Sequence, residues 1–292
     1  MQGLMNHMLR RTTFSGELNM NAIVFGSGKV AQHMKKILGV KIIDRRECDI
    51  TIRDQVVKSV EKYGCSVVIN CAAKTNLEFC EDNKVESFSS NTLGPLVVAD
   101  VCKEKNIKLV HISSGCLFDG NEVPMTERDT PSPSVWYTRT KLWADEALLN
   151  MGYKNILIVR PRQLISSVEH PSNLLTKFLS MEKIEAIDED NTVTCIEDFC
   201  EMISHLVGID ACGIFNTANT GITSPYSIAK KIKEKLNPAF KVEKISYENL
   251  LKKLPNRRVN TVLSVDKIIE SGYTPRDCEE AIDWCLENYE SK

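Results

Sequence analysis

Ala22-Ile-Val-Phe-Gly-Ser-Gly-Lys-Val-Ala31 is the stretch that decides the fold. The apolar run Ala22–Phe25 reads as a buried strand. From Lys29 to Leu38 the apolar residues recur at helical spacing. Between them lies a G-x-G-x-x-A turn, where Gly26 and Gly28 let backbone approach a pyrophosphate lodged at the helix N-terminus. Such a turn alone is a weak signal, but its context is right. Lys41-Ile-Ile43 reads as a second strand, and Asp44 ends it about 20 residues on. A dinucleotide site is therefore expected. A carboxylate at Asp44 suits the ribose 2′-hydroxyl of NAD, whereas Arg45 and Arg46 suit the 2′-phosphate of NADP. Two adjacent guanidiniums favour NADPH, with NADH as the alternative.

Outward from this turn the pattern alternates. Helices are predicted over Gln55–Tyr63, Val85–Lys105 (kinked at Pro95) and Trp136–Asn150, and strands over Cys65–Asn70, Lys108–Ile112 and Asn155–Val159. Apolar strands separated by helices imply a parallel sheet covered on both faces, an α/β fold of the doubly wound, Rossmann type. After Pro161 the alternation weakens, and Gly213–Thr217 is expected to rejoin the sheet. The domain expectation is a dinucleotide-binding unit over 20–161, rejoined by 191–220. A smaller C-terminal substrate-binding lobe would comprise 162–190 and 221–292, and residues 1–19 would be a disordered extension.

Composition narrows the function. The 292 residues are 42% hydrophobic and 26% charged with net charge −2, which excludes a disordered or fibrous chain. No Lys/Arg block gives a nucleic-acid footprint, and no apolar run approaches the roughly 18 residues of a membrane span. Eleven scattered cysteines include no C-x-x-C pair, and none of the five histidines stands at ligand spacing from one. The expectation is a cytoplasmic protein with core thiols and no metal site.

Tyr137 and Lys141 stand four residues apart on a predicted helix, hence on one face, and Ser114 follows the strand ending at Ile112. Free tyrosine has a pKa of about 10 and gives up its proton reluctantly near neutrality. A neighbouring ammonium is expected to lower that value and make the hydroxyl a general acid, with Ser114 bonding the same carbonyl oxygen. The plain alternative is a surface Tyr–Lys pair.

These residues carry a resemblance. From Met20 onward the chain resembles the extended short-chain dehydrogenase/reductases. Asn70-Cys-Ala-Ala-Lys-Thr75, Ile112-Ser-Ser-Gly-Cys-Leu-Phe-Asp-Gly120 and Tyr137-Thr-Arg-Thr-Lys141 are similar to dTDP-4-dehydrorhamnose reductases. Gly115-Cys116, where simple reductases have Asp-Tyr, and Arg160-Pro-Arg-Gln-Leu-Ile-Ser-Ser167 with Thr176-Lys177 resemble the plant-type bifunctional epimerase/reductases that make UDP-L-rhamnose. The chain departs at the glycine turn, which is one residue shorter than the family's G-x-x-G-x-x-G and ends in Ala31.

The resemblance implies catalytic roles for Ser114, Tyr137 and Lys141, with Cys116 and Lys177 as the epimerising pair. It implies NADPH contacts at Gly26, Ser27, Gly28, Lys29, Val30, Asp44, Arg45, Asp49, Ala72, Ala73, Tyr137 and Lys141. Substrate contacts are expected at Thr75, Asn76, Asn173 and Arg258, the last in a segment, Asn256–Asn260, similar to the reductases' diphosphate region. The implied substrate is a nucleotide-linked 4-keto-6-deoxyglucose, the UDP form first, supplied by a separate 4,6-dehydratase. A homodimer is expected, with no nucleic-acid or membrane partner. The alternatives are a monofunctional reductase and a non-catalytic, reductase-like regulatory subunit.

Overall fold

The computed structural model describes residues 20–290; the expected extension 1–19 lies outside them. The chain opens with β1 (Ala22–Phe25), α1 (Lys29–Leu38), β2 (Lys41–Ile43), α2 (Arg53–Tyr63) and β3 (Val67–Asn70). Then come α3 (Leu77–Asp82), α4 (Lys84–Phe88), α5 (Gly94–Lys105), β4 (Lys108–Ile112), β5 (Gly120–Met125), α6 (Trp136–Asn150) and β6 (Ile156–Arg160). The C-terminal half runs β7 (Leu164–Ile165), α7 (Leu174–Leu179), β8 (Lys183–Ile187), β9 (Thr194–Cys195), α8 (Ile196–Gly208), β10 (Gly213–Asn216) and α9 (Pro225–Lys235). It ends with β11 (Lys241–Ile245), α10 (Tyr247–Lys253), β12 (Thr261–Leu263), α11 (Asp266–Glu270) and α12 (Cys278–Glu287).

Six strands form one parallel sheet in the order β2-β1-β3-β4-β6-β10. Alternate residues of each strand serve opposite faces. Val24, Ile69, Val110 and Leu157 pack under α1 and α8 against Met34, Phe199 and Ile203. Ile23, Val68, Leu109 and Ile158 pack under α2 and α5 against Val56, Val60, Val98 and Val101. Both faces are covered, so the strands are apolar throughout rather than alternating with polar residues. A third apolar core joins α7, β8, β9, α9 and α12 through Leu175, Phe178, Ile184, Ile232, Ile282 and Leu286. Small parallel pairs β8–β11, β5–β12 and β7–β9 build the rest. Among the described residues no helix is long and apolar enough to cross a membrane.

The segment Val85–Lys105 is not one α-helix. A π-helical turn, Ser89–Leu93, separates α4 from α5, and Pro95 occupies the first turn of α5, where its missing N–H costs nothing. The wide turn presents Asn91 and Thr92 to α6. There, Asn91 Nδ2 donates to Thr140 Oγ1 at 3.1 Å and Thr92 Oγ1 to the Thr140 carbonyl at 2.8 Å.

Candidate active site

The sheet order turns back at β1, with β2 on one side and β3 on the other, so a crevice opens beyond their carboxyl ends. Gly26 sits there at φ +105°, and a Cβ on it would lie 2.9 Å from the Ala72 nitrogen. Only glycine fits. Gly28 is the N-cap of α1, has no side-chain cap and faces open space. The first N–H groups of α1 are thus open to an anion beside Ser27 and Val30. Ala72 and Ala73 follow β3 on the opposite wall, fixed by the Ala72 N–H to Asn70 Oδ1 (3.1 Å). Asn91, a residue that sequence reasoning missed, clamps the next residue. Its Oδ1 accepts from Lys74 N (2.7 Å), and its Nδ2 donates to the Lys74 carbonyl (2.9 Å).

At the end of β2, Asp44 Oδ1 accepts from the backbone N–H groups of Arg46 (2.8 Å) and Glu47 (3.1 Å), and Oδ2 pairs with Arg46 Nη2 at 2.8 Å. Arg46 holds the Asp44 carboxyl below the usual carboxylate range. Arg45 lies within 3.4 Å of Asp49 and 3.3 Å of Glu86. Both guanidiniums are exposed. Lys29 behaves differently from its neighbours in the turn. Its Nζ turns inward and donates to the carbonyls of Leu164 (3.0 Å) and Ser172 (3.1 Å). Burial, then the nearby Lys177 ammonium, bring its pKa down to about 8, against the opposing pull of Glu197.

On α6 the i,i+4 spacing continues one step further, to Asp145. Lys141 is 1% exposed; its Nζ donates to the Ile112 carbonyl at 2.7 Å and lies 3.2 Å from His111 Nε2. Burial lowers its pKa to about 8, opposed by the charge of Asp145. Tyr137 departs from the expectation. Burial, with Cys116 nearby, raises its hydroxyl above the ordinary tyrosine value, and only the hydrogen bond with Ser114 draws it back.

Ser114 caps a single 3₁₀ turn, Gly115–Leu117, its Oγ accepting from Cys116 N at 3.1 Å. A Cβ at Gly115 would come within 2.6 Å of Leu263 Cδ1, so any side chain there requires that leucine to shift. Cys116 and Tyr137 line one cavity of about 290 Å³ together with Arg162, Gln163, Arg257 and Arg258. Arg162 is a second residue that sequence reasoning missed. Its Nη1 lies 3.5 Å from Cys116 Sγ, and a bond from its Nη2 to the Val259 carbonyl anchors it. Gln163 beside it takes φ +41°, a sparsely populated conformation for a side chain of its size. Arg258 pairs with Glu78 at 2.6 Å and Arg257 with Asp119 at 2.9 Å.

Other expected contacts are not gathered here. Asn173 is fully buried as the N-cap of α7, donating to the carbonyls of Ser166 (2.8 Å) and Val168 (3.1 Å), so its amide is consumed in holding that loop. Lys177 is exposed on α7, beside Lys29, and does not line the cavity that holds Cys116. Thr75 and Asn76 are exposed, and Asn76 caps α3 through Phe79 N at 2.7 Å.

A family profile described as RmlD substrate binding domain matches residues 20–291. The chain belongs to this family. A bifunctional dTDP-4-dehydrorhamnose 3,5-epimerase/dTDP-4-dehydrorhamnose reductase of Arabidopsis thaliana is 30% identical over 228 residues, 74% of each chain. The trifunctional UDP-glucose 4,6-dehydratase/UDP-4-keto-6-deoxy-D-glucose 3,5-epimerase/UDP-4-keto-L-rhamnose-reductase RHM1 of the same plant is 27% identical over 228 residues. Those residues are 74% of this chain but only 34% of RHM1. Among solved structures, the Bacillus anthracis dTDP-4-dehydrorhamnose reductase in complex with NADP superposes with TM-score 0.83 at 22% identity, covering 91% of this chain and 98% of the other. The L780 UDP-rhamnose synthase of Acanthamoeba polyphaga mimivirus gives TM-score 0.82 at 24% identity with the same coverage. The RmlD-family fold is thereby shown to be an extended Rossmann fold with a parallel sheet and surrounding helices.

Proposed function

We propose that this RmlD-family chain is an NADPH-dependent 3,5-epimerase/4-reductase of a nucleotide-linked 4-keto-6-deoxy sugar, the UDP form first. The observation that carries the reading is the sharing of one cavity by Tyr137 and Cys116, with Ser114 bonded to both. Relatives with reductase and with combined epimerase/reductase names support the same class.

Gly26, Ser27, Gly28 and Val30 would hold the cofactor's pyrophosphate, Ala72 and Ala73 the opposite wall, and Asp44, Arg45 and Asp49 its adenosine end. When bound, NADPH supplies a hydride to C4. Protons at C3 and C5 are acidified because both carbons flank the C4 ketone. One group removes such a proton, Tyr137 and Ser114 hold the enolate oxygen, and a proton returns on the opposite face. Cys116 would act as one of the two proton-transferring groups. In the reduction Tyr137, protonated at neutral pH, donates its hydroxyl proton to the C4 oxygen. Ser114 then bonds the tyrosinate while Lys141 supplies positive charge beneath it. Arg257 and Arg258 face the cavity as guanidiniums suited to a diphosphate. The product of a separate 4,6-dehydration is the substrate this chemistry requires.

A second reading, a monofunctional reductase, is favoured by the exposed position of Lys177 outside the cavity lining. Incubation with UDP- and dTDP-4-keto-6-deoxyglucose plus NADPH in D₂O separates them. Deuterium at C3 and C5 with a rhamnose product by NMR supports the bifunctional reading. Reduction without exchange, and only of sugar supplied already in the 4-keto-rhamnose configuration, supports the second, and no turnover of either configuration overturns both.

A further inference from the structure

Arg162 brings an unneutralised charge into the cleft. It lines the cavity with Cys116 and Tyr137, yet it is only 7% exposed. The other charged groups of the lining are already paired: Arg257 with Asp119, Arg258 with Glu78, and Glu185 with Lys183 and Lys253. Among the described residues Arg162 forms no ion pair; its bonds run to Thr194, Cys116 and Val259. Its Nε is buried without a partner. A guanidinium keeps its charge in proteins, so a buried one with no carboxylate calls for another anion beside it.

The backbone sets that anion's place. The Gly115 N–H donates to the Pro161 carbonyl at 2.8 Å, which ties the turn carrying Cys116 to the residue before Arg162. Thr194 Oγ1 accepts from the Arg162 N–H at 3.0 Å, and the Val259 carbonyl accepts from its Nη2. Gln163 follows at φ +41°, so the chain turns sharply just past the arginine. Nη1 is left to donate to Cys116 Sγ at 3.5 Å. A guanidinium donor favours the thiolate over the thiol. Cys116 is partly exposed and faces the cavity, so its sulfur is open to a substrate there.

We propose that Arg162 is a positioning residue that holds Cys116 as the thiolate which removes the sugar's C3 or C5 proton, an inference that rests on the epimerase reading above. The sulfur takes the proton, the C–H electron pair becomes the carbon–carbon double bond of the enolate, and the carbonyl pair moves onto the C4 oxygen. No oxidant or reductant enters this step. After burial, the negative sulfur is the next cause that raises the Tyr137 hydroxyl. Protonation of Cys116 removes that charge, so Tyr137 becomes the stronger hydrogen-bond donor as the enolate oxygen forms beside it. Arg162 thus serves epimerisation, while the more exposed Arg257 and Arg258 remain for the diphosphate.

The test is alkylation of Cys116 by iodoacetamide in the full chain, read by peptide mass, with no sugar or cofactor added. The ratio of its rates at about pH 7 and about pH 9.5 cancels access and reports how readily the thiolate forms. Arg162→Met should lower that ratio about tenfold, and Arg162→Lys, which keeps a positive charge, should recover most of it. In D₂O, Arg162→Met should slow deuterium uptake at C3 and C5 about tenfold and leave reduction of the 4-keto-rhamnose sugar within about twofold. An Arg162→Met ratio equal to that of the unsubstituted chain overturns the inference. So does a raised KM with the exchange kcat unchanged, the mark of an arginine that binds substrate instead. If Arg162→Met fails to fold, seen as labelling of the buried Cys102 and Cys200, the unsubstituted chain decides: its ratio should fall about tenfold on unfolding in urea, and equal ratios overturn the inference. Loss of the coupling with exchange intact leaves the epimerase reading standing. No exchange by the unsubstituted chain, with the coupling intact, removes that reading and the base role of Cys116 with it.

Discussion

Two buried carboxylate–guanidinium pairs serve this molecule in different ways. Asp145 and Arg160, 1% and 3% exposed at their side chains, meet at 3.0 Å beneath the cleft. Asp198 and Arg276, 6% and 13% exposed, meet where α8 approaches α12. The second pair is satisfied, with Asn219 Nδ2 donating to Asp198 at 2.6 Å and Arg276 Nε at 3.1 Å. The first is not. Ser113 and both Arg160 contacts crowd onto Asp145 Oδ2, while Oδ1 and Arg160 Nη1 have no partner. Burial accordingly raises the Asp145 pKa, against the pull of Arg160. Its charge lies one helical turn from Lys141 and supports the ammonium there. The comparison teaches that a complete pair locks elements together, whereas an incomplete one keeps a field directed at the reacting groups.

The comparison can be broken by experiment. The largest effect is expected at the cleft itself. Tyr137→Phe should lower reduction about 10²–10⁴-fold while NADPH binding, read by fluorescence, is retained. Near-normal turnover would remove Tyr137 from the chemistry.

At the junction, Asp198→Ala strands the Arg276 charge and should cost about 3–5 kcal/mol in denaturant unfolding. A loss below about 1 kcal/mol would mean that this pair does not lock the two elements together.

Cofactor choice comes next. Replacing Arg45 and Arg46 by Ala should reduce the kcat/KM preference for NADPH over NADH by roughly tenfold to a hundredfold, the loss of a charged contact of about 1.5–3 kcal/mol. An unchanged ratio would leave Asp44 as the deciding residue.

The smallest effect is the most diagnostic. The reduction needs the Lys141 ammonium, so kcat/KM should fall as pH rises through about 8, where this lysine loses its proton. Asp145→Asn removes a charge that raises that value, and the limb should move to lower pH by up to about one unit, equivalent to about 1.4 kcal/mol. A limb that stays in place would mean that Asp145 is structural, like Asp198.

Legibility followed sequence distance. The glycine turn, the Asp44 strand end and the Tyr137/Lys141 pair were readable because each depends on residues within one turn or one βα unit. Sheet order was readable in outline because apolar strands alternating with helices admit few topologies. The π turn at Ser89–Leu93 was not, since it answers to Thr140 on another helix. The fate of Lys177 and Asn173 was not readable either, because it depends on how α7 rests against residues far along the chain.

The sequence by itself determined the parallel α/β architecture, the crevice at the β1 turn and the residue types able to act there, because local spacing and hydrophobic period settle strand, helix and face. Only the tertiary structure decided which charges each buried group meets. It set the Lys141 ammonium against the Ile112 carbonyl and His111. It put Arg162 beside Cys116, and it brought the sulfurs of Cys195 and Cys285 to 3.6 Å from each other. The physical reason is that a side chain's electrostatics depend on distances of a few ångströms after packing. Residues 90 apart along the chain, as Cys195 and Cys285 are, acquire such a distance only when the helices that carry them close on a common core.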